Sequence, residues 1–271
     1  MSLPPTSPPR AAMTAVLMYH AVTDDARSTQ GADPHYTVPR TGFLAQLDMI
    51  RDQGLRAASC ASILTGGDSA RAAVALTFDD GHESNFAAAE AIVARGMGAD
   101  LFVNPGLVGG AGLLSWSALR ELAGAGISIQ SHGMTHRYLD DLNDAEVERE
   151  LRASYAEIAD RIGVPPTLFA PPGGRFRSGF LLQARNAGYR SVCSSRPGVW
   201  HTDRDTAEIP RLAMLAGTGD AQFRRWLACE PREVRRQRIR YDLLRLAKRS
   251  LGNRGYERLR SALLGAAGSE S

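Results

Sequence analysis

"LTFDDGHESN" (76–85) places two carboxylates, Asp79 and Asp80, directly behind the apolar run "AAVALTF" (72–78). The run has the length of a strand buried on both faces, and the Asp-Asp-Gly that follows marks its end. Adjacent like charges repel, and burying either is costly unless it is paired or bound to a metal. A solvated turn is the plain alternative, so the rest of the chain has to decide between the two.

Outward from this run the pattern repeats. "AVLMYH" (15–20), "ADLFV" (99–103), "ISIQSH" (127–132), "TLFA" (167–170), "YRSVC" (189–193) and "IPRLAM" (209–214) are further short apolar segments. Helical periodicity separates them at 40–54, near 84–95, near 116–125 behind Ser115, over 143–163 and near 178–187. Strands alternating with amphipathic helices predict a parallel β/α architecture, either an open sheet or a barrel. In such folds the chemistry sits at the C-terminal ends of the strands. His20, Asp79–Asp80, His132 and the "PPGG" at 171–174 all fall there. The polar stretch 21–39 reads as a long loop.

"SHGMTH" (131–136) holds His132 and His136 four residues apart, a spacing that puts both imidazoles on one side of a helical turn. Two histidines and one carboxylate are a common ligand set for a catalytic zinc with an open position. Asp80 then serves as the third ligand, and Asp79 stays free to take a proton from the attacking water. The cation offsets the repulsion between the two carboxylates. His82 reads as an exposed turn histidine rather than a further ligand.

"TFDDG", "SHGMTH" and "FAPPGG", in that order on successive strand ends, resemble the polysaccharide deacetylase family, the NodB-homology domain of carbohydrate esterase family 4. The likeness covers about residues 13–215. It implies a distorted (β/α) barrel of seven strands that removes acetyl groups from sugars with one divalent metal, most simply Zn2+. Carried over, Asp79 matches the catalytic base. Asp80, His132 and His136 match the metal ligands, and the backbone of Gly173 matches the oxyanion donor. The chain departs from the family where Ala170 replaces the arginine that helps to hold the base; Arg211 and Arg175 are the candidate substitutes. The late Leu-x-His motif is also absent, and no histidine follows His201. The resemblance is closest to the permuted branch, whose acid histidine comes from the N-terminal strand. This makes His20 the expected general acid and His201 the runner-up. Trp116 and Trp200 are expected to pack rather than to stack on sugar.

Charge divides the chain. Residues 221–271 hold 13 basic and 5 acidic side chains, whereas residues 1–220 hold 19 and 24. The expected organisation is a disordered lead (1–12), a catalytic domain (13–220) and a basic helical extension (221–271). Within 230–265, Ile239, Leu243, Leu246 and Leu251 lie near one stripe, and Leu259 and Leu263 near another. The ordinary fate of such a helix is to pack on the barrel with its arginines in water. Peripheral contact with an anionic membrane is the other partner expectation, and nothing beyond charge suggests nucleic acid. Three widely spaced cysteines, Cys60, Cys193 and Cys229, argue against a disulfide scaffold or a zinc knuckle. No apolar stretch is long enough for a transmembrane helix, and a cytoplasmic setting is expected.

The expected activity is metal-dependent removal of N-acetyl groups from a polysaccharide, oligosaccharide or lipid-linked precursor in exopolysaccharide synthesis. A catalytically weak carbohydrate-binding barrel and a metal-dependent deformylase or amidohydrolase are the alternatives.

Overall fold

The apolar runs form the wall of a barrel. The first part of the chain supplies β1 (Met13–Tyr19), β2 (Ala21–Val22), β3 (Thr37–Val38), α1 (Arg40–Asp52), β4 (Ala57–Ala58), α2 (Cys60–Thr65), β5 (Val74–Phe78) and α3 (Asn85–Val93). Then come β6 (Ala99–Val103), α4 (Trp116–Gly124), β7 (Ser128–Ser131), α5 (Asp144–Ile162), β8 (Leu168–Phe169) and α6 (Phe180–Asn186). The last part holds β9 (Ser191–Cys193), β10 (Trp200–His201), β11 (Glu208–Ile209), β12 (Leu212–Ala213) and α7 (Asp220–Leu227). A final helix, α8, covers 231–244. This computed structural model describes residues 13–24, 32–66, 73–204, 206–244 and 246. The expected lead at 1–12 and the second half of the basic tail lie outside the described residues.

Strands β1, β5, β6, β7, β8, β9 and β11 pair in parallel in that order. β12 then returns to pair with β1, Leu17 opposite Leu212. Pro210 and Arg211, between β11 and β12, therefore join the two edges of the sheet into a nearly closed barrel. Distortion enters at β10, which runs antiparallel to the start of β1.

Side chains alternate along each strand. Val16, Ala75, Phe102, Leu168, Cys193 and Ile209 form one cluster drawn from strands around the barrel. Leu17, Leu76 and Leu101 point the other way, onto Leu47, Ile92 and Leu119 of the covering helices. Burial on both faces explains why these strands read as continuous apolar runs. Helix starts follow their caps: Ser115 bonds the N–H of Ala118 ahead of α4, and Asn143 with Glu146 forms a capping box ahead of α5.

The polar stretch 21–39 is not featureless. β2 and β3 pair in parallel, Ala21 opposite Thr37, and a 3-10 turn over Pro34–Tyr36 precedes β3. The tail also departs from expectation. The stripe containing Ile239 and Leu243 faces solvent, while the polar residues Glu233 and Gln237 lie toward the protein.

Candidate active site

Asp79 and Asp80 leave β5 in opposite directions. The Asp79 N–H donates to Tyr19 O (3.0 Å), which continues the ladder onto β1. The next residue breaks it: Asp80 has φ 74°, in the left-handed region, and Gly81 follows at φ 69°. Asp79 is 3% exposed and meets Arg211, itself fully buried. Arg211 Nη1 donates to Oδ1 (2.6 Å) and Nη2 to Oδ2 (2.8 Å). Burial pushes the Asp79 carboxyl up, but Arg211 and then His132 outweigh it and hold it below the ordinary carboxylate range.

Asp80 instead faces the histidines. Its Oδ1 lies 3.2 Å from His132 Nε2 and 3.2 Å from His136 Nε2. These three residues offer ligand atoms all within 4.8 Å of one another. The His132 ring is fixed by its other nitrogen, because Nδ1 lies 2.7 Å from Ala170 O. With Nδ1–H donating there, the Nε2 lone pair turns toward Asp80. Asp80 Oδ1 is buried yet makes no aligned hydrogen bond. An orphaned carboxylate oxygen facing two imidazole nitrogens is the donor set of a divalent cation, so the residues present fit a metal. Burial raises the Asp80 carboxyl, but His132 and His136 hold it well below its usual value.

The two histidines do not share a helical turn, as their spacing had suggested. His132 follows β7 directly, and residues 132–138 form an irregular loop. Positive φ at Gly133 (83°) and His136 (60°) bends the chain back so that both rings converge. Their centroids are 5.2 Å apart.

Two residues that sequence reasoning missed hold this loop. Glu150, on α5 and 7% exposed, accepts from Met134 N (2.7 Å), Thr135 N (3.0 Å) and Thr135 Oγ1 (2.5 Å). Asn104 Nδ2 donates to His132 O (2.6 Å) and Gly133 O (3.1 Å). Glu150 carried a signal: it stands among Val147, Leu151, Ser154 and Ile158 on the inner face of α5, where an unpartnered carboxylate would be costly.

The PPGG loop lies against the same histidine loop. Gly173 adopts φ 61°, and a Cβ there would stand 2.7 Å from Tyr138 Cε1, two residues beyond His136. Arg175 stacks on that Tyr138 ring at 3.9 Å. Of the two arginines offered in place of Ala170, it is therefore Arg211 that reaches Asp79.

His20 directly follows β1 beside the carboxylates, near enough to help draw both carboxyls, of Asp79 and of Asp80, below their ordinary range. Its ring packs on Tyr36 (4.5 Å), and its carbonyl accepts from Asn85 Nδ2 (2.6 Å). His201 pairs with Met13 at the opposite end of β1, away from this cluster. His82 is buried rather than exposed, with Nδ1 2.8 Å from Ser84 Oγ, and it stays outside the three-residue cluster. Trp200 is buried in the core, and Trp116 packs beneath Arg161.

Residues 66–192 match the family model for polysaccharide deacetylase. YxkH of Bacillus subtilis (strain 168), whose name assigns it provisionally to the polysaccharide deacetylases, is 25% identical over 219 residues, 79% of this chain and 76% of YxkH. BC0361, a polysaccharide deacetylase from Bacillus cereus, has a similar fold: TM-score 0.70, 23% identity, 79% of this chain and 69% of that one. The Streptococcus pyogenes deacetylase PplD, solved in complex with acetate, aligns with TM-score 0.71 and 20% identity over 81% of this chain and 99% of its own.

Proposed function

We propose that this chain, whose residues 66–192 match the polysaccharide deacetylase family model, hydrolyses the N-acetyl group of a sugar in a polysaccharide or its precursor. The observation that carries this reading is the divergence of Asp79 and Asp80. Neighbours in sequence, they meet a buried guanidinium in one case and two imidazoles in the other. One carboxylate is thereby kept as a base, and the other is given to a cation.

Asp80, His132 and His136 would hold the ion, and two imidazoles with one carboxylate suit a catalytic zinc. Bound there, it would supply Lewis acidity toward the acetyl carbonyl and the attacking water. Asp79 removes the proton from that water as its oxygen joins the acetyl carbon. Arg211 fixes the carboxylate plane and keeps it ionised, and each oxygen retains a lone pair for the task. The Gly173 N–H donates to the oxyanion that develops on the carbonyl oxygen. His20 gives a proton to the nitrogen as the C–N bond breaks, which frees acetate and the sugar amine.

Acetate release from N-acetylglucosamine oligomers by the zinc-loaded protein tests the reading. Asp79→Asn should abolish release while zinc stays bound, and His20→Gln should reduce release by about two orders of magnitude or more. Formate release from N-formyl sugars without acetate release would replace deacetylation by deformylation.

A further inference from the structure

Helix α8 presents an unusual face to solvent. Its anchoring is polar. Glu233, 5% exposed, accepts from Gln222 Nε2 (3.2 Å) and Gln237 Nε2 (2.8 Å), which ties α8 to α7. Arg238 Nη1 donates to Pro197 O (3.3 Å), in the loop leaving β9. The outward stripe carries Ile239 (50% exposed), Leu243 (61%) and Leu246 (59%). At 3.6 residues per turn, Arg232, Arg235 and Arg236 fall within about 60° of Ile239 on the same stripe. All three arginines are exposed. The stripe is therefore guanidinium-rich in its first turns and mostly aliphatic in its last, where the half-exposed Asp242 at its edge pairs with Arg238 (3.3 Å).

We propose that this stripe docks the protein on an anionic lipid bilayer. Ile239, Leu243 and Leu246 enter the boundary between headgroups and acyl chains, and Arg232, Arg235 and Arg236 lie against lipid phosphates. Charge supports that occupant over a protein partner of mixed sign. Residues 221–271 hold 13 basic and 5 acidic side chains, and the remainder of the chain holds 19 and 24. An anionic surface attracts the tail and repels the body, so the tail leads the contact. The contact lies in the plane of the surface, because no helix among the described residues is long and apolar enough to cross a membrane. Arg238 ties the docked helix to the loop whose Ser194 O and Arg196 O accept from Arg211, the residue that anchors Asp79.

Flotation of the full chain with phosphatidylcholine vesicles, with and without phosphatidylglycerol, tests the proposal. The protein should float with the anionic vesicles alone and release as salt rises. Arg235→Gln with Arg236→Gln should lower partitioning on the order of 30-fold. Ile239→Gln with Leu243→Gln should lower it by more than about tenfold. Both double variants should keep the parent's melting temperature. A parent that ignores phosphatidylglycerol overturns the proposal, as does binding undiminished in both variants. A parent dimer in sedimentation that Ile239→Gln/Leu243→Gln dissolves assigns the stripe to a second copy instead. A drop of several degrees in that variant's melting temperature assigns it to the chain's own interior.

Discussion

Arg211 grips Asp79 with two parallel hydrogen bonds, 2.6 and 2.8 Å long, across 132 residues of sequence and with both groups buried. Such a pair is costly to break from one side, because the surviving charge stays buried without its partner. Arg211→Met should therefore lower unfolding free energy by about 3–5 kcal/mol. Adding Asp79→Asn to that variant should restore part of the loss, since an amide needs no counter-charge. Urea denaturation of the two single variants and the double variant reads this, and strictly additive losses would refute it.

Glu150 touches no cation ligand atom, yet it receives the N–H groups of Met134 and Thr135 inside the loop between His132 and His136. Glu150→Gln weakens those bonds and replaces one acceptor oxygen by a donor. Zinc affinity should fall by about 10- to 100-fold, while one-to-one stoichiometry persists. Calorimetric titration gives both quantities together.

Gly173→Ala should separate catalysis from metal binding. The new Cβ stands 2.7 Å from the Tyr138 ring, at a φ of 61° that costs a substituted residue about 1–2 kcal/mol. The loop must shift, and the expected fall in acetate release is at least about tenfold. Zinc content should equal the parent's. A variant that deacetylates at the parent's rate would remove Gly173 from the proposed chemistry.

Asp100 sets a pH dependence of stability independent of the ligands. It is fully buried, and burial, the largest influence, pushes its carboxyl up to about 7 despite N–H bonds from Cys60 and Ala61. The folded chain thus holds this proton more tightly than the unfolded chain, where Asp titrates near 3.9. The group's contribution to stability is complete below about pH 4 and is lost as pH rises to about 7, at no more than about 1.4 kcal/mol per pH unit. Denaturation from about pH 4.5 to 8 should show a steeper loss in the parent than in Asp100→Asn. Equal slopes would contradict the assignment.

The strands were legible because parallel strands covered on both faces cannot hide their apolar runs: "AVLMYH" became β1 and "VALTF" became β5. The helices with polar caps were equally plain. What escaped were elements too short to show a period, namely β2, β3, β4, β10 and α2, and the break at Pro210–Arg211 that splits the expected strand 209–214 into β11 and β12. The histidine spacing pointed to convergent rings, but by the wrong local geometry: the left-handed φ of Gly133 and His136, not a helical turn, brings them together. Arg211 and Arg175 were indistinguishable as letters. Only closure of the barrel puts one of them against Asp79 and the other on Tyr138. Glu150 was legible only by its place on the apolar face of α5, because an acidic residue on a helix otherwise reads as solvated surface.

The seam at Pro210–Arg211 also imposes an order in time. Ribosomes deliver Asp80, His132 and His136 to solution some 75 residues before Arg211. A nascent chain of that intermediate length owns its cation donors but lacks the guanidinium that fixes Asp79. The strand connection that shuts the sheet against β1 brings in that guanidinium. On the proposed chemistry, completing the barrel and arming the base are one event, and a half-made or unzipped chain should be hydrolytically silent.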